Sequence, residues 1–275
     1  MRKIKTFIKK NPAFTVFFIL AVLLMGTAVF APLLAPYDPY EAVLADAVQP
    51  PSSEHWFGTD RMGRDLFSRV IYGSRTSLAA ALSLVGIIVA AGTFLGIIAG
   101  YFGGILDAVI MRISDMMISF PGMVLAIAVA GILGASIGNA VIAIAIVSWT
   151  KYARLARSLV LKIYHQDYIA AARVTGSKTF HILRKYMLPN ALPTILITGA
   201  TDIGSMMLEI AGLSFLGFGA QPPAAEWGYM LNEGRAYITA APWLMIFPGL
   251  AIFITVVIFN LLGDSLRDVL DPRDE

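Results

Sequence analysis

A chain of 275 residues, 57% hydrophobic and only 14% charged, has a mean hydropathy of +0.73. Soluble domains carry about 25% charged residues, and so much apolar surface cannot be hidden in one soluble core of this size, so the composition excludes a soluble globular protein and indicates an integral membrane one. The net charge of +3 and pI near 9.1 do not argue for nucleic acid, because the basic residues cluster beside apolar runs, and zero cysteines excludes disulfides, thiolate metal sites and a cysteine nucleophile.

Residues 1–10 hold five Lys or Arg and no acid, followed by an apolar run from about Ala13 to Leu34. A cleaved signal peptide competes with an uncleaved span here. The run exceeds the roughly 7–15 apolar residues of a signal and no convincing small-residue cleavage site follows, which favours a first span with its N-terminus in the cytoplasm. Residues 35–75 form a polar loop opened by Pro36-Tyr37-Asp38-Pro39 and containing Gly58-Thr59-Asp60-x-x-Gly63-Arg64-Asp65, residue types that make turns. A second span is predicted from about Ser77 to Tyr101, where Gly92, Gly96 and Gly100 recur every four residues and leave one face open to close helix packing. A third is expected at 105–133, with Arg112 and Asp115 spaced to pair on one face and Phe120-Pro121 set to kink it. A fourth, about 137–150, continues as a helix through Tyr152–Leu161 that carries Arg154 and Arg157 out of the bilayer.

Residues 164–189 are the one long polar and basic interruption late in the chain, read as two short helices around Gly176. Asp167 is the expected cap of the first, Gly176 its stop, and Ser177 or Thr179 the cap of the second. Phe180, Leu183 and Met187 form an apolar stripe on that second helix, widened by Ile182 and Tyr186, and Pro189 marks the start of a new span. On spacing alone this is either an ordinary connecting loop or a docking knuckle. Span five, about 190–217, contains Asp202 and Glu209 on nearly one face with Met206 and Met207 between them, and the two acids either line a substrate path or pair with a neighbouring subunit. Glycines and prolines then lead to Glu226-Trp227-Gly228, and span six is expected at about 242–263. With both ends on one side, sixteen Lys or Arg fall inside and five outside, which satisfies the positive-inside rule and puts 164–189 in the cytoplasm.

Ala171-Ala172, Gly176 and Leu188-Pro189 resemble the Glu-Ala-Ala-x3-Gly-x9-Ile-x-Leu-Pro signature of binding-protein-dependent ABC importer permeases, with Ala170 in place of Glu and Tyr186 in place of Ile. Gly58-Thr59-Asp60-x-x-Gly63-Arg64-Asp65 is similar to an element near the start of dipeptide, oligopeptide and nickel permeases, and Phe259-Asn260 through Asp271-Pro272 resembles the C-terminal signature. The resemblance implies an all-α, type I-like ABC importer transmembrane domain of about six helices with both termini cytoplasmic. It implies an N-terminal arm, first helix and extracytoplasmic loop at 1–75, and a five-helix core at 76–275 whose 164–189 helices couple to an ATPase through Ala171, Ala172, Gly176, Leu188 and Pro189. A homologous second permease, two cytoplasmic ATPases, an extracytoplasmic binding protein and a bacterial or archaeal plasma membrane follow from the same resemblance.

Gly176-Ser177-Lys178-Thr179 lacks the glycine directly before the lysine that a phosphate-binding loop needs, and neither Gly-x-Ser-x-Gly nor His-Glu-x-x-His occurs. No catalytic residue, metal site or cofactor is therefore expected in this chain, with ATP and Mg held by partner subunits. The resulting expectation is an importer permease for small peptides or nickel and metal chelates, with Asp202, Met206 and Glu209 on the pathway. Its rivals are a secondary transporter or channel driven without ATP, and a membrane scaffold without a pathway. All three histidines, His55, His165 and His181, fall outside the predicted spans, which disfavours a bare metal ion as cargo.

Overall fold

The computed structural model describes residues 10–270, so the basic arm up to residue 9 and the Asp271-Pro272 end of the C-terminal signature lie outside the described residues. The regular structure among them is helical: α1 Pro12–Val29, α2 Ala31–Leu34, α3 Leu66–Phe102, α4 Gly104–Ile118, α5 Gly122–Leu133, α6 Ile137–Tyr164, α7 Asp167–Val174, α8 Thr179–Ile182, α9 Leu188–Phe215, α10 Trp227–Gly234 and α11 Trp243–Leu270. Three of these are long and apolar enough to span a bilayer alone, as is the continuous stretch Thr179–Phe215, and a fifth span forms if α4 and α5 count as one bent crossing. The expected fourth span forms one unbroken helix, α6, but its second half carries Lys151, Arg154, Arg157 and Lys162 and it is not among the helices apolar enough to cross, so four or five candidate crossings stand among the described residues where about six were expected.

The bundle is built on α3, α6, α9 and α11, with α1 laid against α11 and α3. Helix α3 begins eleven residues before the predicted span. Asp65 starts it by accepting the Ser68 N–H at 2.7 Å, and the charges of its first turns are neutralised by ion pairs that apolarity does not reveal. At about 1.5 Å per residue its 37 residues run about 56 Å, well beyond an apolar bilayer core of about 30 Å. The glycine seam packs as the spacing predicts, within the subunit and against α6. A Cβ on Gly92 would lie 2.4 Å from the Trp149 carbonyl, and one on Gly96 2.3 Å from that of Ala153. With no hydrophobic drive between helices in lipid, this backbone approach is what holds α3 to α6.

The predicted third span is not one helix. It breaks at residues 119–121 and the two halves meet at 95°. Pro121 lacks an N–H and disfavours helix at Phe120, so the break is complete where a kink was expected. Nor does Asp115 pair with Arg112. Arg154 of α6 binds Asp115 at 2.6 Å and Arg157 binds Asp107 at 2.6 Å, so α4 is tethered to α6.

Around Gly176 the two predicted short helices form. Gly176 takes φ +81°, and the Ser177 and Gly176 N–H groups donate to the Ala172 and Arg173 carbonyls, the two-bond glycine stop that satisfies the end of α7. The caps differ from expectation: Gln166 and Lys178 precede α7 and α8, neither caps through its side chain, and Asp167 and Thr179 lie inside the first turns. Pro189 stands in the first turn of α9, where a new span was expected to start, but no break precedes it. A π turn at Leu183–Met187 carries the helix through it, and the Asn190 side chain bonds the Tyr186 carbonyl at 2.6 Å in that widened turn.

Candidate functional sites

Asp202 and Glu209 stand on α9 and line one cleft of about 440 Å³, as two turns of helix require, and Met206 lies between them on the same wall. The α4–α5 break supplies Met117, Ile118 and Phe120 to the opposite wall, and α3 and α6 close the sides with Ile88 and Val147. The broken crossing thus makes the room that a straight span would fill.

Asp202 is not free. Both of its oxygens accept from the Lys151 ammonium at 2.7 Å, and one also accepts the Tyr152 hydroxyl at 2.7 Å. The Asp202 side chain is 9% exposed and that of Lys151 57%, so the acid sits behind the lysine, which faces the cleft. Glu209 makes no hydrogen bond or ion pair with another described residue. Of the expected alternatives, structural pairing describes Asp202, through a partner in its own chain, while Glu209 alone faces the cavity unpaired. Lys151 was counted in the sequence as a cytoplasmic loop charge. It stands at the head of the basic half of α6, three residues before Arg154, so nothing local marked it as the partner of a buried acid. None of the three histidines lines this cleft.

At the far end of α6 and α9, the five residues expected to couple to an ATPase fall on one knuckle but are unequal. Ala171, Gly176 and Pro189 are exposed, Leu188 is half-buried, and Ala172 is buried against the bundle. Of the predicted apolar stripe, Ile182 and Met187 point inward while Phe180 is 72% exposed. Arg173 ties α7 down: its guanidinium lies 3.8 Å above the Tyr164 ring and 5.8 Å from that of Tyr101, so the knuckle grips the ends of α6 and α3 together. A groove of about 520 Å³ beside it is lined by Phe180, His181, Arg184, Lys185 and Pro189.

The glycine-aspartate element of the polar loop is a buried lock. Gly58 and Gly63 take positive φ, and Asp60 accepts Arg64 at 2.6 Å and Arg69 at 3.3 Å. Both arginines also reach Glu233 of α10, at 3.1 and 3.3 Å, while His55 meets Asp65 at 2.9 Å. Glu226 starts α10 by accepting the Gly228 and Tyr229 N–H groups, with Ser77 of α3 at 3.2 Å. Burial pushes the Glu226 carboxyl above its ordinary range, and those two backbone donors pull it back. Glu226 and Glu233 were not singled out from the sequence as partners, because their basic and hydroxyl counterparts lie about 150 residues away in the chain.

Residues 92–274 match the family described as binding-protein-dependent transport system inner membrane component, and residues 6–51 match the N-terminal transmembrane domain of oligopeptide transport permease C. A dipeptide transport system permease protein of Alkalihalophilus pseudofirmus is 45% identical over 266 residues, covering 97% of this chain and 88% of that one. A probable D,D-dipeptide permease of Escherichia coli K12 is 44% identical, over 98% of this chain and 91% of that one. A glutathione permease of Pectobacterium atrosepticum is 47% identical, over 92% and 84%. Among solved structures, the inward-facing MetNI methionine ABC transporter superposes with a TM-score of 0.61 at 19% identity, over 75% of this chain and 98% of that chain, a likeness of fold. With one family matched over more than half of the residues and relatives aligned along nearly all of them, the chain belongs to the binding-protein-dependent transport system inner membrane components and is a multi-pass permease subunit of an ABC importer.

Proposed function

We propose that this permease forms half of the pathway of an importer for short peptides, in company with a homologous second permease, two cytoplasmic ATPases and an extracytoplasmic binding protein. The observation that carries the peptide reading is the cleft, which presents an unpaired carboxylate and a lysine on opposite charges of one cavity. The relatives named for dipeptides, D,D-dipeptides and glutathione support it. Nickel or a metal chelate fits less well, since the cleft offers two carboxylates but no imidazole or thiolate.

The chain carries no catalytic site of its own on this reading, and ATP with Mg binds the partner ATPases. The 164–189 knuckle seats in a groove of the ATPase through its exposed face, Ala171, Phe180 and Pro189, while Ala172, Leu188 and Gly176 fix its shape. ATPase closure then moves the ends of α3 and α6 through the Arg173 stack. The test is the reconstituted complex. Gly176→Pro, which cannot adopt positive φ, and Ala171→Trp, which adds bulk only to an exposed position, are both expected to leave ATP hydrolysis running without uptake. Coupled uptake at the wild-type ratio in both variants overturns the docking assignment. Uptake by the permease pair with no ATPase present overturns the importer reading in favour of a secondary transporter.

A further inference from the structure

The two charged groups that face the cleft are placed to hold the two ends of one small molecule. We propose that Glu209 receives the ammonium of a zwitterionic short peptide in transit, and that Lys151 receives its carboxylate while Asp202 stays held by Tyr152. This deepens the peptide reading above and rests on it.

An ionised side chain inside a membrane span is retained when it has a partner or a cavity task. Asp202 has its partners, whereas Glu209 makes no hydrogen bond or ion pair among the described residues and feels Lys151 and Asp202 only at longer range. Lys151 has three N–H donors, pairs with Asp202 alone among the described residues, lines the cleft and keeps more than half of its side chain exposed. It can therefore turn a donor to an incoming carboxylate without leaving Asp202 bare, because the fully buried Tyr152 hydroxyl remains 2.7 Å from that acid. A zwitterion matched at both ends adds no net charge to the cavity, whereas a single ion would leave one group uncompensated.

The spacing suits a peptide of two or three residues. The Lys151 ammonium lies 2.7 Å from Asp202, Asp202 and Glu209 are seven residues apart, about 10.5 Å of helix rise, and an extended peptide covers about 3.3–3.6 Å per residue. The cleft of about 440 Å³ lies within the usual range of about 300–1,000 Å³ for small-molecule sites. Between the charged ends, Met117, Phe120 and Met206 line it, and methionine adapts to side chains of differing shape.

The complete importer in liposomes tests this, with alanyl-alanine and alanyl-alanyl-alanine as probes and ATP hydrolysis stimulated by loaded binding protein as the check on folding and assembly. Glu209→Gln is expected to slow uptake about tenfold or more, with Glu209→Asp recovering part of the loss, while stimulated hydrolysis persists. The pair Lys151→Met with Asp202→Asn removes both charges together, which a merely structural ion pair tolerates. Here too uptake is expected to fall about tenfold, because the carboxylate has lost its receiver. Wild-type uptake in Glu209→Gln, or in the neutral double variant, overturns the site and leaves the peptide reading standing. A wild-type importer that moves neither probe nor any other short peptide overturns the peptide reading and the site with it.

Discussion

Alanine at Gly96 puts a single methyl into the α3–α6 seam, 2.3 Å from the Ala153 carbonyl oxygen and 2.7 Å from the Ala156 Cβ. Carbon contacts relax near 3.5–4.0 Å, so the two helices must part by about 1 Å. Overpacking of this kind costs about 1–3 kcal/mol. Replacing a helical glycine by alanine regains about 0.5–1 kcal/mol of backbone entropy, so the net loss is at most about 2.5 kcal/mol. Gly86 supplies the control on the same helix, since a methyl there meets nothing within 4 Å. Gly86→Ala is expected to gain the entropic part alone, about 0.5–1 kcal/mol. Detergent titration of each variant in bicelles reads the difference, which should equal the overpacking cost. Equal shifts of the same sign at both positions would refute the claim that backbone approach holds α3 to α6.

Arg69→Ala and Arg154→Ala separate buried from exposed charge. Arg69 is 1% exposed between Asp60 and Glu233, and its loss should destabilise the chain by about 3–5 kcal/mol, against under about 1 kcal/mol for Arg154 in its open pair with Asp115. Chemical unfolding of both variants checks the ranking, and a larger effect at Arg154 would reverse it. Glu226→Gln should flatten the dependence of Tm on pH. Burial raises the folded carboxyl above its unfolded value, so its stabilising contribution is complete below the ordinary carboxylate range and is lost as pH rises through the folded value. A Gln variant with the wild-type pH profile would show that Glu226 is not the source of that slope. Phe180→Ala should leave thermal stability within about 0.5 kcal/mol, the ring being largely exposed, while weakening ATPase binding in a pull-down with purified partner. A fall in Tm with unchanged binding would make Phe180 a packing residue.

Several elements could be read before any fold was known because their cause is local. Period-four glycines at 92, 96 and 100 leave a bare stripe on any helix that contains them, and Gly176 stops a helix because glycine alone enters φ +81° without strain. Pro121 withholds a backbone N–H from any helix that runs through it. How far that disrupts the helix was not local: a kink and a 95° break follow from the same residue, and the choice falls to what packs on either side. Pro189 illustrates the converse: it was expected to start a new span and does stand in the first turn of α9, yet a π turn joins that turn to the helix before it.

Charge partners were the larger omission. Arg112 and Asp115 satisfied the helical pairing rule, yet Asp115 went to Arg154, thirty-nine residues away, because the fold brings α6 alongside α4. Asp202 and Glu209 were rightly placed on one wall by their spacing, but their roles diverged once Lys151 arrived from α6, fifty-one residues away. The sequence by itself determined that the chain lives in a bilayer, where its helices begin to be apolar, and which stretch interrupts them, since transfer into lipid and helix formation depend on composition and near neighbours. Only the tertiary structure decided which buried charge is neutralised and which is left facing the cavity, because that depends on distances between helices that no stretch of sequence contains.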